Sequence, residues 1–242
     1  MTIPEKHDAM GRAILDFTLH GHSNKLIVHS SMFDDDEMSV ATLFRTEAQM
    51  PPLERHALNL CRGHVLDVGA GAGCHSLALQ ARGTDVTSID ISPLSTEARR
   101  MRGVNDARCA DVFSEDFSEK FDTVLLLMNG LGIAGTLANL PHLLLRCKEL
   151  LAEGGQILAD SSDIAYVFQE EDGSYAFPDH TAYYGEVDYT MTCGSCRGER
   201  FNWLYVDYPT LAQTTASCGL MAEKLKDGGH FDYLCRLTAQ GA

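Results

Sequence analysis

The residues with the clearest capacity for chemistry lie between His64 and Pro93, in the run HVLDVGAGAGCHSLALQARGTDVTSIDISP. Gly69, Gly71 and Gly73 leave a turn without side chains, so a ligand can approach backbone N–H groups and the start of a following helix. Asp90 stands seventeen residues past Gly73, closing an apolar run. A carboxylate there can accept two hydrogen bonds from the vicinal hydroxyls of a ribose. Asp67 precedes the first glycine, where an anion repels a pyrophosphate but orients the ammonium group of an amino acid, directly or through water. A dinucleotide fingerprint is G-x-G-x-x-G; here the spacing is G-x-G-x-G, with Cys74 in the place of the third glycine. The expected ligand is a nucleoside that also carries a cationic amine.

Holding those residues requires a strand, a turn, a helix and a second strand. Val65 to Val68 reads as a buried strand, Cys74 to Arg82 as a helix and Val86 to Ile91 as the next strand, a βαβ unit. Strand and helix patterns keep alternating from Gly63 onward, which predicts an α/β protein with a parallel sheet and helices on both faces. Ser92 and Pro93 open a helix to about Arg102, a short strand lies near Ala107 to Cys109, and FDTVLLLMNGLG reads as a central strand ending at Met128, Asn129 and Gly130. A helix over Leu137 to Leu151, interrupted at Pro141, stops at Gly154 and Gly155 before a strand from Gln156 to Ala159. Asp160, Ser161, Ser162 and Asp163 emerge at the carboxyl end of that strand, on the edge where open α/β sheets bind ligands. They are candidates to touch substrate, or a helix N-cap.

Residues 164–208 are rich in aromatics. Gly185 to Thr192 and Arg200 to Asp207 flank a turn containing Cys193 and Cys196, which predicts a long antiparallel hairpin inserted after the fifth strand. It can roof a substrate pocket or build a homodimer surface, with Tyr183, Tyr184 and Trp203 as pocket walls or as hairpin core. A helix over Thr210 to Cys218 and two strands, Met221 to Lys226 and His230 to Leu237, finish the chain. At the other end, helical patterns cover Met10 to Leu19 and Glu54 to Cys61. Between them His29, Ser30 and Ser31 face a pocket or form a capping turn, and Asp34 to Glu37 reads as a solvated acidic loop or helix start.

The string D-x-G-x-G-x-G from Asp67, followed by the acid Asp90 closing the second strand, resembles motifs I and II of the class I S-adenosylmethionine-dependent methyltransferases. The resemblance implies a Rossmann-like, doubly wound, mostly parallel seven-stranded sheet. It implies S-adenosylmethionine as cofactor, held by Asp67, Gly69, Gly71, Gly73, Asp90 and Ile91, with Asp111 and Val112 at the adenine. Met128, Asn129 and Gly130 match motif IV, where the methyl group meets its acceptor, and Arg45 belongs to an N-terminal helical lid from which it can clamp a carboxylate bidentately. The turn Asn129-Gly130-Leu131-Gly132 lacks the Asn/Asp-Pro-Pro-aromatic pattern of enzymes that methylate amino groups of bases, and offers no anionic oxygen to a hard cation. A metal-free site is expected. The corresponding divisions are a lid segment 1–62, a cofactor-binding core 63–163, the hairpin insertion 164–208 and a C-terminal completion 209–242.

Thirty-four acidic residues against 19 Lys and Arg give a formal charge of −15, which repels nucleic acid and anionic membranes. No apolar run approaches the ~18 residues of a membrane span, and MTIPEKHDAMGR lacks a signal-peptide core, so a cytoplasmic protein is expected. The lone C-x-x-C pair reads as a hairpin turn before it reads as a zinc or redox site. A sulfonium methyl is already activated, so the main tasks are alignment and exclusion of water, and no catalytic residue is strictly demanded. Where a general base helps, His29, His75 and His180 are the candidates. The expected activity is transfer of a methyl group to O, N or S of a small-molecule acceptor by in-line displacement. Two rivals are an NAD-dependent oxidoreductase, which Cys74 and Asp67 argue against, and a non-catalytic S-adenosylmethionine-binding protein.

Overall fold

The apolar runs after Gly63 form strands covered on both faces, because each strand alternates its side chains between two helical layers. Residues 2–114, 117–177 and 182–240 are described by a computed structural model. In chain order the helices are α1 (Ala9–His20), α2 (Pro52–Leu60), α3 (Cys74–Ala81), α4 (Pro93–Met101), α5 (Leu140–Leu150) and α6 (Tyr208–Ser217). The strands are β1 (Leu26–His29), β2 (Asp36–Met38), β3 (Val65–Val68), β4 (Val86–Asp90), β5 (Asp106–Cys109), β6 (Phe121–Leu126), β7 (Leu151–Ser162), β8 (Glu186–Cys193), β9 (Cys196–Arg197), β10 (Phe201–Leu204), β11 (Leu220–Asp227) and β12 (Asp232–Ala239). Single 3₁₀ turns cover Val40–Phe44, Gly130–Ala134 and Ala165–Phe168, among others.

The main sheet has seven strands in the order β11-β12-β7-β6-β3-β4-β5. Strands β3 to β7 pair in parallel, and β12 runs antiparallel to both its neighbours. Leu66, Val124, Leu126, Ile157 and Ala159 point to the side packed by α5, while Val65, Leu125 and Leu158 meet Leu53, Leu58 and Leu79 of α2 and α3 on the other. The chain leaves β3 toward β4 and β5, then returns to β6 on the opposite side of β3. That reversal opens a crevice beyond the carboxyl ends of β3 and β6, the usual ligand position in such sheets.

The hairpin expected after the fifth core strand is part of something larger. β8 pairs with β10 on one edge, Phe201 opposite Tyr189 and Leu204 opposite Glu186. On its other edge it pairs with β1, Leu26 opposite Cys193 and His29 opposite Thr190, and β1 in turn pairs with β2. The segment before residue 63 is therefore not wholly helical: two short strands from it complete an antiparallel sheet whose other strands come from the insertion. The acidic run expected as a loop or helix start contributes Asp36 and Glu37 to β2, the edge strand. Charges on an edge strand discourage further pairing.

The N-terminal segment is tied to the core through α1 and α4. The Asp8 carboxylate caps α1 by accepting from the Gly11 N–H at 2.9 Å, and also accepts from the hydroxyl of Ser92, the N-cap of α4. A Cβ at Gly11 would lie 2.3 Å from Asp8 Oδ2 and from Ser92 Oγ, so only glycine allows this join. Ile14 and Leu15 of α1 and Leu43 of the following turn then bury against Ala72, Leu94 and Ala98, with Met128 alongside. That contact lays the N-terminal segment over the glycine turn and the end of β6.

Candidate active site

Past β3 the backbone enters the left-handed region three times, at Gly69 (φ 69°), Gly71 (φ 52°) and Gly73 (φ 82°), which side-chain-bearing residues rarely adopt. A Cβ at Gly71 would meet nothing within 4 Å, so the space over the turn is open to a ligand. Asp90 Oδ2 accepts from the Gly71 N–H at 2.9 Å and Oδ1 from the Ser92 N–H at 2.8 Å. Each oxygen keeps capacity for one more donor, as a ribose diol requires. Beneath the turn lies Arg99, fully buried, which donates to the Gly71 carbonyl at 3.1 Å and stands 3.7 Å from Asp90 Oδ2. It neutralises the acid and pins the turn, yet an arginine within an amphipathic helix reads as surface, and sequence reasoning passed it over. Asp67, only 2 % exposed, accepts from the Ser76 hydroxyl; burial pushes its carboxyl pKa up against the pull of His75 and Ser76. Asp111 Oδ1 accepts from the Phe113 N–H at 3.0 Å in the turn after β5, Val112 is buried there, and Ile91 presents an exposed side chain beyond Asp90. Turn and acids thus fit a ligand with an adenosyl and an amino-acid end.

Beside this cradle, β6 ends on two consecutive non-glycine residues in the left-handed region, Met128 (φ 63°) and Asn129 (φ 58°). Such backbone costs about 1–3 kcal/mol per residue and persists only where surroundings enforce it. Here Asn129 donates from Nδ2 to the Leu204 carbonyl at 3.1 Å, and Ser161 donates to Asn129 Oδ1 at 3.1 Å while accepting from the Val206 N–H. The Gly130 N–H donates to Asp160 Oδ1 at 3.1 Å. Trp203 of β10 lies over Gly132, where a Cβ would be 2.1 Å from Nε1. The small sheet is thereby fastened across the carboxyl ends of β6 and β7. Burial pushes the Asp160 carboxyl up to about 7 although the Gly130 N–H favours its charge. Nearby, Tyr184 donates to Asp163 at 2.7 Å and Tyr183 donates to Asp207, which also caps α6. Burial first, and then the Asp207 carboxylate for Tyr183 and the Tyr183 phenol and Asp163 carboxylate for Tyr184, pushes both phenols upward, so they act as neutral donors.

The methyltransferase-domain family matches residues 65–155 of the chain. A solved S-adenosylmethionine-dependent methyltransferase from Bacteroides fragilis, in complex with S-adenosyl-L-homocysteine, is 49% identical over 99% of this chain and 98% of that one, with a TM-score of 0.94. The chain belongs to the S-adenosylmethionine-dependent methyltransferases. No protein with a curated description matches it. The CcbJ methyltransferase of Streptomyces caelestis (15% identity, 81% of this chain and 98% of that one, TM-score 0.60) and the sugar N-methyltransferase KedS8 of a Streptoalloteichus (18%, 88% and 97%, 0.57) share its fold. S-adenosylmethionine is its methyl donor, and the oxidoreductase and non-catalytic readings fall away.

In this methyltransferase several expected site residues have other partners. The Arg45 guanidinium donates to both oxygens of Glu54 and to the Thr42 carbonyl, so it is turned to a protein carboxylate rather than left for one on the cofactor. Glu54 also meets His75 Nε2 at 2.7 Å. Burial opposes the charge on the His75 ring, but the Cys74 side chain and Glu54 outweigh it, and its pKa is pushed up to about 10. Burial also works against Glu54, whose pKa is nonetheless held low by His75 and Arg45. An imidazolium has no lone pair with which to take a proton, so His75 does not suit a general base. His29 has both ring nitrogens engaged, with Thr192 Oγ1 at 3.0 Å and Asp35 Oδ1 at 2.9 Å. Ser30 accepts from the Met32 N–H and Ser31 donates to Asp188, so all three residues serve the small sheet. Ser162 ends β7, half-buried, and His180 lies outside the described residues. Among the described residues no group of three or more His, Cys, Asp or Glu could hold a metal ion, and no helix is long and apolar enough to cross a membrane.

Proposed function

We propose that this enzyme methylates O, N or S of a small-molecule acceptor by metal-free in-line displacement, the acceptor entering at the carboxyl ends of β6 and β7 beneath the small sheet. The observation that carries this reading is the fastening of β10 across Met128–Gly132 through Asn129, Ser161 and Trp203, which covers the carboxyl end of β6 with protein and so favours a small acceptor over a macromolecule. The fold neighbours KedS8 and CalS10, named as a sugar N-methyltransferase and an amino pentose methyltransferase, support an acceptor of that size. S-adenosylmethionine supplies a methyl group activated by its sulfonium. Gly69, Gly71, Gly73 and Asp90 grip the adenosyl end, with Asp111 and Val112 at the base; Asp67 orients the amine; Met128, Asn129 and Gly130 set the approach of the nucleophile. Residues 1–62 and 164–208 exclude water from above. Asp160, with a pKa near neutrality and an oxygen 3.1 Å from the Gly130 nitrogen, replaces the histidines as the group placed to receive a proton. Incubating the enzyme with methyl-labelled S-adenosylmethionine and either a dialysed macromolecular fraction or a metabolite fraction tests the reading. Label is expected in the metabolites; label confined to nucleic acid or protein would overturn it.

A further inference from the structure

Resting on that reading, we propose that the methyl acceptor is an amine carried on a ring or other apolar scaffold, bound as its ammonium by the Asp163 carboxylate against the rings of Tyr184 and Phe177. Residues 160–196, which supply the carboxyl end of β7 and much of the roof, contain eight Asp and Glu and no Lys or Arg. Although Arg200 pairs with Asp188, the acceptor side of this enzyme therefore carries an excess of negative charge, which attracts a cation and disfavours a carboxylate or phosphate. Asp163 has the capacity to use that field. Its Oδ1 accepts from the Ala165 N–H at 2.9 Å and from Tyr184 at 2.7 Å, while Oδ2 takes no hydrogen bond from the described residues. Asp207, the neighbouring acid, is already committed to Thr210, Tyr183 and Tyr184.

The walls suit the same cation. The Tyr184 ring lies 4.9 Å from Phe177 and 4.5 Å from Tyr183, with Phe168 edge-on at 6.4 Å. Phe177 is nonetheless 45% exposed, so the cluster presents aromatic surface instead of closing on itself. Ring faces attract an ammonium within about 6 Å and accept a flat scaffold equally well. A neutral hydroxyl acceptor would gain no charge pairing from Asp163 beyond the hydrogen bonds it already accepts. The chemistry balances: the ammonium gives one proton to Asp160, and the freed nitrogen lone pair forms the bond to the methyl carbon. The carbon–sulfur bond breaks with its electron pair left on sulfur, and the product leaves as a protonated methylamine.

Trp203 is the chain's single tryptophan and lies at this edge, over Gly132, so its fluorescence reports occupancy. Protein saturated with S-adenosylhomocysteine is titrated with 2-phenylethylamine, 2-phenylethanol and phenylacetate, three probes that differ only in the charged or neutral head. The amine is expected to bind at least tenfold more tightly than the alcohol, and phenylacetate more weakly than either. Asp163→Asn, which keeps an acceptor for Ala165 and Tyr184, should cut the preference for the amine below threefold while leaving S-adenosylhomocysteine affinity within twofold by calorimetry. Equal binding of amine and alcohol, tighter binding of phenylacetate, a preference that survives Asp163→Asn, or no binding of any probe at 10 mM (roughly −2.7 kcal/mol) would each overturn the proposal. Labelling of neutral metabolites alongside any of those results would remove the amine and keep the small-molecule reading.

Discussion

Replacing Asp90 with Ala removes an acid that serves ligand and protein at once, and the two losses can be separated. Toward the cofactor, the carboxylate would accept both ribose hydroxyls through charge-assisted hydrogen bonds worth about 1.5–3 kcal/mol each when measured singly. Because the two bonds share one group, the combined loss is set at about 2–3 kcal/mol, or roughly 30- to 160-fold in affinity. Toward the protein, the Gly71 and Ser92 N–H groups lose their acceptor, and the fully buried Arg99 loses an anion 3.7 Å away. Arg99 still donates to the carbonyls of Gly71 and Arg108 and to Thr96, so the stability loss should be about 1–3 kcal/mol rather than that of an isolated buried charge. Urea unfolding gives the second quantity, and calorimetry with S-adenosylhomocysteine, under conditions where the variant is folded, gives the first. Folded Asp90→Ala protein that binds S-adenosylhomocysteine within twofold of the parent would refute the ribose assignment.

Three further outcomes are expected. The His75 pKa is raised in the folded protein to about 10 from an ordinary value near 6.5, so its stabilisation is complete below about pH 6.5 and is lost as pH rises toward 10; Glu54→Gln should flatten that limb of a denaturant-midpoint profile and lower stability by about 3–5 kcal/mol at neutral pH, since it strands two buried cations. Asp160 is raised to about 7 from near 3.8, so burying it favours the folded state only while it is protonated and costs stability as pH rises from about 4 through 7; Asp160→Asn should be the more stable protein at pH 8 by urea midpoint, and methyl transfer in the parent should rise through pH 7 in a way the variant does not reproduce. Gly132→Ala places a methyl group 2.1 Å from the Trp203 indole nitrogen, which should shift the tryptophan emission and depress transfer while leaving S-adenosylhomocysteine affinity within threefold.

The core of this fold is readable because parallel strands covered on both faces are largely apolar or small, and VLDV, VTSID and FDTVLL are flanked by glycines or caps that mark their ends. The glycine turn is readable for a related reason: glycine is needed where the backbone turns left-handed, and Asp90, which ends β4, stands against that turn. Other features depend on distance in space. β1 has four residues and β2 three, too few to show a period, and β1 finds its partner strand more than 160 positions along the chain. The Arg45–Glu54–His75 group joins three elements whose side chains meet only after α2 and α3 pack on the same face of the sheet. Histidine drew attention as a base because its unperturbed pKa suits the task, whereas burial gave that property to Asp160 instead, and burial is a property of the folded chain.

β8 is hydrogen-bonded along both edges, by a strand from near the amino terminus and by one from beyond the core. A chain shortened past β1 would retain the cofactor cradle but bare a row of unsatisfied backbone donors and acceptors beside Met191 and Cys193. Deleting that end therefore does not yield a smaller working enzyme. It yields a sticky one, inclined to recruit a strand from another molecule in place of its own.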